Sequence, residues 1–216
     1  RANRDRMCYM ETLALQHELV SLRGKNAIPD IVLLAEHKPC ILFGRDASKN
    51  SFSAEFLGLL EKEGATAEEY LARMGISFYS GLKYGGGAAY IGPGQLVVYP
   101  VNKYTRLLKL HEVAGYKNLI DRTMLNVMCG FGISDAYIAA GYDENFMRDR
   151  RDIWVDIGGK SHKIAAKGVY LGKEIASHGF QIYAQREGLK YFDFINPCGY
   201  TRDQVWVVSM EEITGK

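Results

Sequence analysis

The chain has 216 residues, with 27 basic and 25 acidic side chains and a formal net charge of +2. This balance gives no general positive field and so argues against nucleic-acid binding. An apolar content of 47% is enough for a substantial core, and no run approaches the roughly 20 apolar residues of a membrane span.

The first half of the chain predicts helices and strands around a glycine cluster. Leu15, Leu19 and Leu22 recur at helical spacing, and Gly24 follows as a C-cap. The continuous apolar run 31–35 has the length of a strand and is typical of one buried on both faces. A helix is then predicted over 67–74, a strand over 76–79, and a strand over 96–99 beyond the glycines.

The second half predicts one long helix followed by strands. Apolar residues from Val113 to Val127 mark one face of a helix that ends before Gly130. The runs 153–157 and 164–171 predict a hairpin around a Gly-Gly pair, and 178–184 and 205–210 predict further strands. Because hairpins are mixed with helices and no linker interrupts them, we predict one α/β (α+β) domain over 1–216 with a mixed or antiparallel sheet.

The four cysteines are far apart and have no Cys-x-x-Cys spacing, so we expect neither a metal site nor a disulfide framework. Cys8 and Cys129 fall at helical core positions, and we assign no catalytic role to Cys8, Cys40 or Cys129. Free thiols are typical of a reducing compartment. The basic start 1–6 leads into no signal-peptide core, so we expect a cytoplasmic protein, or an organellar one if a targeting segment has been removed.

A cysteine on a turn and a lysine on a strand form the candidate reactive pair. Cys198 lies between Pro197 and Gly199, a setting typical of a turn from which a thiol can point into a cleft. A free thiol has a pKa of roughly 8.5, so a nearby ammonium such as that of Lys163 would increase its nucleophilic thiolate form. Taken alone, Cys198 also fits an inert loop residue, and Lys163 fits a solvated lysine at a hairpin edge.

A glycine-rich segment is the clearest candidate for ligand binding. It reads Lys83-Tyr84-Gly85-Gly86-Gly87-Ala88-Ala89-Tyr90-Ile91-Gly92-Pro93-Gly94-Gln95. Three consecutive glycines let a flat or elongated ligand approach the backbone and meet its N–H groups. The segment matches neither nucleotide-binding glycine motif. From glycine content alone, a strained structural loop is the alternative.

Together these segments resemble the lipoyl(octanoyl) transferase family of the lipoate–biotin protein ligase superfamily. The family pattern around the glycines is roughly Arg-Gly-Gly-x-x-Thr-Tyr-His-Gly-Pro-Gly-Gln-Leu-Val-x-Tyr-Pro. Further anchors follow the family's order and spacing over nearly the whole chain, at 28–37, 42–45, 153–155, 178–180 and 207–209. The resemblance implies a single catalytic domain with mixed or antiparallel sheets flanked by helices.

The resemblance also implies which residues carry the chemistry. Cys198 is expected to be the nucleophile, with Lys163 within a hydrogen bond or a short water bridge of it as proton shuttle. His178 matches a family histidine near the acyl tunnel and is expected to contact the residues that bind substrate rather than the substrate itself. Taken alone, a histidine beside Gly179 and Phe180 also fits a structural residue. The full implied substrate site comprises Tyr84, Gly85, Gly86, Gly87, Tyr90, Ile91, Gly92, Ile164, Ala165, Ala166, His178, Gly179, His37 and Lys83.

The chain departs from the family pattern at three positions. Tyr84 stands where the family usually has Arg, and Ile91 stands where it has His. Lys83 is a candidate for the missing cation, and we expect a reshaped acyl pocket that still accepts a medium-chain donor. Lys167 replaces an apolar residue. Four residues along a strand from Lys163, it is expected on the same face, where it would add positive potential or bind acidic groups of a carrier.

The implied activity is transfer of an octanoyl group from octanoyl-acyl carrier protein to a lysine of a lipoyl domain, such as those of 2-oxoacid dehydrogenases or the glycine-cleavage H protein. A thioester donor is already activated, so no cofactor or metal is expected. Unprotonated Lys163 would accept a proton from the incoming amine, and a dry pocket would favour that form. Basic residues are expected to dock the acidic partners, namely Lys83, Lys103, Arg106 and Lys109.

Three other functions stay open on the sequence. An amidotransferase between lipoyl domains would use the same cysteine and lysine. An ATP-dependent lipoate–protein ligase would not need Cys198. The Gly-Gly-Gly-Ala sequence resembles the corresponding run of those ligases. A scaffold that binds lipoyl domains without catalysis would explain the loss of the usual Arg and His, but not the retention of Lys163 and Cys198.

Overall fold

The computed structural model describes residues 6–82, 87–107, 113–138, 142–143, 148–149, 152–172, 174–197 and 205–216. Its helices are α1 Tyr9–Gly24, α2 Ala54–Glu63, α3 Ala67–Arg73, α4 Tyr104–Leu107, α5 Val113–Gly130 and α6 Met210–Thr214, with 3₁₀ helices at Lys49–Ser51 and Arg186–Phe194. Its strands are β1 Ile31–Ala35, β2 Cys40–Phe43, β3 Ser77–Tyr79, β4 Ala88–Ile91, β5 Gln95–Lys103, β6 Tyr137–Ile138, β7 Tyr142–Asp143, β8 Arg148–Asp149, β9 Ile153–Ile157, β10 Lys160–Leu171, β11 Ile175–Tyr183 and β12 Trp206–Val207.

The largest sheet has the order β1-β5-β11-β10-β9-β6, with antiparallel neighbours throughout and with β12 added to β10 in parallel. A smaller sheet of order β3-β2-β4 contains β4, which lies within the glycine-rich segment directly after its three consecutive glycines. This α+β architecture confirms the predicted fold class. In the described part of the chain, no helix has both the length and the apolar character that a membrane span requires.

Side chains alternate along β5 between two apolar clusters. Val98 packs against a first cluster that includes helix α5 residues Tyr116 and Met124. Val97 and Tyr99 belong to another cluster, formed with helix α1. Since successive residues of a strand point to opposite faces, α5 and α1 cover opposite faces of the large sheet.

The prediction that strand 31–35 is buried on both faces was wrong. Val32 and Leu34 are 58% and 64% exposed, although the strand itself forms as predicted. β1 is the edge of the large sheet and pairs with β5 alone among the described strands. A continuous apolar run therefore marks an edge strand here, because Ala35 packs in the cluster formed with helix α1 while the opposite face, which carries Val32 and Leu34, is open to solvent.

Most other elements form as predicted, with differences at their ends. The predicted hairpin is present, with β9 antiparallel to β10 and with Gly158 and Gly159 both at positive φ between them. The predicted strand 205–210 is shorter, because the Ser209 side chain accepts from the Glu212 N–H and starts helix α6. Gly24, predicted as the C-cap of α1, is the last residue of the helix instead, and the C-cap is Lys25.

Two cysteine predictions were also wrong. Cys8 is the N-cap of α1 rather than a core position, and Cys129 is exposed on α5. Cys40 in β2 is buried, and burial raises the pKa of its thiol to about 12. A buried thiol of this kind is inert at neutral pH, in keeping with its non-catalytic assignment.

Candidate active site

A third apolar cluster brings together the segments that the sequence analysis singled out. Ala88, directly after the three consecutive glycines, and Ile195, shortly before Cys198, are buried members of this cluster. Ala166 of β10 and Val207 of β12 pack against it. One apolar cluster is therefore in contact with the glycine segment, with the strand that carries Lys163 and with the residues that precede Cys198. These three segments are far apart in the chain.

The backbone before Cys198 is held firmly. Pro197 forms a parallel bridge with Ala88, which sets the residue before Cys198 beside the residue that follows the three glycines. The Asn196 amide side chain donates to the Asn50 and Phe52 carbonyls at 3.1 and 2.9 Å, and its backbone N–H donates to Ser51. The chain returns at β12, where Val207 pairs with Lys163 and the Val208 N–H donates to the Lys163 carbonyl.

Lys163 is a buried residue of β10, only 1% exposed, and not the solvated lysine that one interpretation of the sequence allowed. Its Nζ lies 2.6 Å from Asp152 Oδ2 and 5.3 Å from the centre of the Trp154 ring. Trp154 pairs with Lys163 across the β9–β10 ladder, and Asp152 lies two residues earlier, just before β9 begins. The side chain therefore extends along β9, over the indole and onto the carboxylate.

Asp152 is a partner of Lys163 that the sequence analysis missed. Its Oδ1 accepts from the Lys167 N–H at 2.9 Å while its Oδ2 binds Lys163. The dry environment expected for Lys163 is present, but the adjacent carboxylate favours the ammonium form rather than the unprotonated form that a base would need. The sequence did contain a signal for this residue, because Asp152 is an acidic side chain directly before the strand Ile153–Ile157.

Lys167 does not present a free charge to a partner. Its ammonium forms an ion pair with Asp121 of α5, and both side chains are about nine-tenths buried. The β9–β10 register shifts between Lys163 and Ala165, and this bulge interrupts the alternation on which a common face with Lys163 was expected. The two lysines therefore bind different carboxylates.

The described part of the glycine segment packs tightly. The Gly87 carbonyl accepts from the Gly44 N–H at 3.2 Å. Tyr90 is fully buried, with its ring 5.1 Å from that of Tyr191, and burial raises the pKa of its phenol. A Cβ on Gly92 would come within 2.1 Å of the Tyr90 hydroxyl, so glycine is required there by the packing of Tyr90 itself.

Three apolar residues of the implied substrate site are core residues. Ile91 pairs with Cys40 and belongs to the cluster formed with helix α1. Ile164 and Ala165 are completely buried in the first cluster, which also contains Tyr116 and Met124 of α5. Of the β10 positions in the implied site, Ala166 alone packs against the cluster that contains Ala88.

The structure does not bring His178 to Lys163. His178 pairs with Val169, six positions along β10 from Lys163, which corresponds to roughly 20 Å of strand. Burial, reinforced by His17, lowers the pKa of His178 to about 4. Its neighbour Gly179 has a backbone role, because a Cβ there would come within 1.9 Å of the Val98 carbonyl oxygen.

His37 is likewise remote from β10 and completely buried. It follows β1, which ends at Ala35 and is three strand spacings from β10, or about 14 Å. The ring nitrogens lie 3.1 Å from the Met7 carbonyl and 2.8 Å from the Tyr99 hydroxyl. Burial lowers the pKa of His37. These contacts tie the N-terminal segment to the large sheet.

Several residues of the expected site lie outside the described residues, namely Cys198, Lys83, Tyr84, Gly85 and Gly86, together with Lys109 of the expected docking set and the side chain of Arg106. Lys103 is described and lies 3.6 Å from Glu174. A cavity of about 370 Å³ lies between the end of β2 and residues 80–82 and is lined in part by Gly44 and Arg45.

The chain is similar to known proteins over nearly its whole length. The family model of the lipoyl protein ligase A/B catalytic domain matches residues 8–213. The octanoyltransferase of Rubrobacter xylanophilus is 33% identical over 96% of this chain and 80% of its own length. The octanoyltransferase of Acidobacterium capsulatum is 29% identical over 96% of this chain and 78% of its own length.

Solved structures agree on the fold. The T. acidophilum protein Ta0514 with bound lipoic acid matches 94% of this chain and 74% of its own, with a TM-score of 0.60 and 15% identity. A lipoate-protein ligase A bound with ATP matches the same shares of the two chains, with a TM-score of 0.59 and 14% identity. With the family model spanning residues 8–213 and a relative at 33% identity, the chain belongs to the lipoyl protein ligase A/B catalytic domain family and is an octanoyltransferase family member.

Proposed function

We propose that this enzyme moves an octanoyl group from octanoyl-acyl carrier protein to a lysine of a lipoyl domain through a thioester on Cys198. The observation that supports this most is the convergence of Ala88, Ala166 and Ile195 on one apolar cluster, next to the strand of a buried Lys163. Apolar surface suits a medium acyl chain, and the buried ammonium suits a thiolate and a developing oxyanion.

The reaction consists of two acyl transfers. The Cys198 thiolate attacks the octanoyl thioester carbonyl, a new C–S bond forms, and the carrier leaves as its thiol after taking up the proton that Cys198 lost. The neutral amine of the acceptor lysine then attacks the enzyme thioester. The C–S bond breaks, the amide forms, and the proton released from the amine returns to the Cys198 sulfur or to solvent.

Lys163 contributes mainly as a cation in this scheme. Held as an ammonium by Asp152, it stabilises the Cys198 thiolate before attack and the oxyanion during each transfer. The mechanism needs a free thiol at Cys198, so we assign the protein to a reducing compartment such as the cytoplasm. The acceptors are lipoyl domains.

Intact-mass measurement after incubation with octanoyl-carrier protein tests the proposal. The protein should gain one octanoyl group that hydroxylamine removes, and adding apo lipoyl domain should transfer it. Cys198→Ser should form no thioester adduct. Cys129→Ser removes an exposed thiol on α5 and is the matched control, which should form the adduct normally.

Two results would contradict the proposal. One is a hydroxylamine-labile adduct that persists in Cys198→Ser and maps to Cys40 or another thiol. The other is lipoyl-domain modification that requires free octanoate or lipoate with ATP and magnesium and is unaffected by Cys198→Ala. In that case an ATP-dependent ligase replaces the transferase.

A further inference from the structure

We infer that Asp152 is a positioning residue for acyl transfer, which fixes the Lys163 ammonium in one place before substrate arrives. The inference rests on the proposed function, because it assigns a task within that site. Asp152 lies 2.6 Å from Lys163 Nζ and is itself mostly buried, with 13% of its side chain exposed. The pair therefore has little contact with water.

The Asp152 carboxylate has both of its oxygens bound. Oδ2 binds the Lys163 ammonium, and Oδ1 accepts from the Lys167 N–H at 2.9 Å. A carboxylate held at both oxygens cannot rotate to follow a moving ammonium. The contact with the backbone of β10 ties its position to the strand that carries Lys163.

A second contact restrains the end of the Lys163 side chain. Its Nζ lies 5.3 Å from the centre of the buried Trp154 ring, in the range of a cation–π interaction. Lysine has four rotatable side-chain bonds, and ordering them is costly. Because the indole and the carboxylate already order them, little of this cost falls on the transition state.

The neighbouring ion pair offers a matched comparison within the same strand. Asp121 of α5 binds Lys167, and these side chains are 9% and 10% exposed. Asp152 and Asp121 are thus two buried carboxylates that bind two lysines of β10, but only Asp152 binds Lys163. Asp152→Asn and Asp121→Asn make the same chemical change at both places.

The experiment compares kcat, KM and the pH dependence of Cys198 alkylation, mapped by peptide mass, in wild type and in both variants. We expect Asp152→Asn to lower kcat roughly tenfold to a hundredfold while KM changes less than about threefold. Alkylation of Cys198 at neutral pH should slow, because the less firmly held ammonium stabilises the thiolate less. Asp121→Asn should keep kcat within about threefold of wild type.

A double-mutant cycle separates positioning from a general structural effect. In a Lys163→Met background, Asp152→Asn should change alkylation of Cys198 by less than about twofold, because the group that it positions is gone. An equal effect in both backgrounds would overturn the inference, as would identical kcat and alkylation profiles for Asp152→Asn and Asp121→Asn.

The two proposals fail in different ways. Absence of an octanoyl adduct on the wild-type enzyme would remove the proposed function, whereas the alkylation cycle tests Asp152 without any acyl donor. If Asp152→Asn does not fold, Asp152→Glu keeps the charge and displaces the carboxylate by one methylene. A reduced kcat in Asp152→Glu supports positioning, and wild-type kcat with an unchanged alkylation profile overturns it.

Discussion

Buried charge in this protein is stabilised by specific pairing rather than by exposure to water. An isolated ammonium in a protein interior is strongly unfavourable, and lysine is almost never fully buried without a partner. Lys163 lies between a carboxylate and an indole ring, and Lys167 binds Asp121. The departure at Lys167, unexplained by sequence, is therefore accommodated by an acid on α5.

His178 shows a different solution, in which burial keeps the side chain uncharged. It has a left-handed backbone conformation, with φ of 54°, and such strain in a non-glycine residue costs about 1–3 kcal/mol. Its N–H donates to Gln16 of α1 at 3.1 Å, and its ring packs edge-on against Tyr170. The residue links β11 to α1 and β10.

Acid should destabilise the protein through His178. Its pKa falls from 6.5 to about 4 on folding, so the unfolded chain binds the extra proton between these values. Stability is therefore complete above pH 6.5 and decreases as the pH falls towards 4. His178→Asn, which tolerates the left-handed conformation, should reduce the loss of unfolding free energy between pH 6.5 and 5 by on the order of 2 kcal/mol.

Urea denaturation at a series of pH values measures this difference. His162→Asn, on a partly exposed ring of β10, is the control and should keep the pH dependence of wild type. A pH dependence in His178→Asn equal to that of wild type would show that another group carries the acid sensitivity.

Strand pairing decides which glycines of the large sheet are needed. Gly168 of β10 and Gly179 of β11 are partners in the same ladder, yet their surroundings differ. A Cβ on Gly179 would come within 1.9 Å of the Val98 carbonyl oxygen in β5, whereas a Cβ on Gly168 meets no described atom within 4 Å. The close approach between β5 and β11 therefore requires glycine at position 179, whereas position 168 has room for a larger residue.

Gly179→Ala should destabilise the protein by about 2 kcal/mol or more, because the new methyl group must push β5 away from β11. Gly168→Ala should leave the unfolding free energy unchanged or raise it by up to about 1 kcal/mol, since alanine restricts the unfolded chain. Thermal and urea unfolding of the two variants compare them directly. Equal losses would mean that the β5–β11 spacing adapts freely.

The two main sheets are joined by aromatic packing. Phe192 in the second 3₁₀ helix lies 5.6 Å from Tyr90 of the small sheet and 5.2 Å from Tyr183 of the large one, measured between ring centres. All three belong to the cluster that also holds Ala88 and Ile195. The candidate site therefore lies where the sheets meet, and we expect the sheets to unfold together as one domain.

Calorimetry should show a single transition for the whole protein, with equal calorimetric and van't Hoff enthalpies. Phe192→Ala should lower the unfolding free energy by about 3–5 kcal/mol without splitting that transition, because the ring contacts both sheets. Phe131→Ala removes an aromatic ring that is 66% exposed and should change stability little. Two separate transitions in wild type would contradict a single domain.

Features that depend on neighbouring residues could be predicted from the sequence. The β9–β10 hairpin follows from two apolar runs around Gly158 and Gly159, and helix α5 follows from its 3.6-residue repeat. Local turn geometry and side-chain periodicity are encoded within a few residues, so no knowledge of distant segments was needed. The family anchors also indicated the fold.

Features that depend on which distant segments meet were decided only by the tertiary structure. The sequence does not say that Asp121, 46 residues before Lys167, pairs with it, or that β1 is an edge strand with exposed Val32 and Leu34. The partner of Lys163 is only 11 residues away, yet the β9–β10 register and the bulge at Ile164 determine the contact. Register and burial arise from the packing of the whole chain, because one shifted residue turns each side chain to the opposite face.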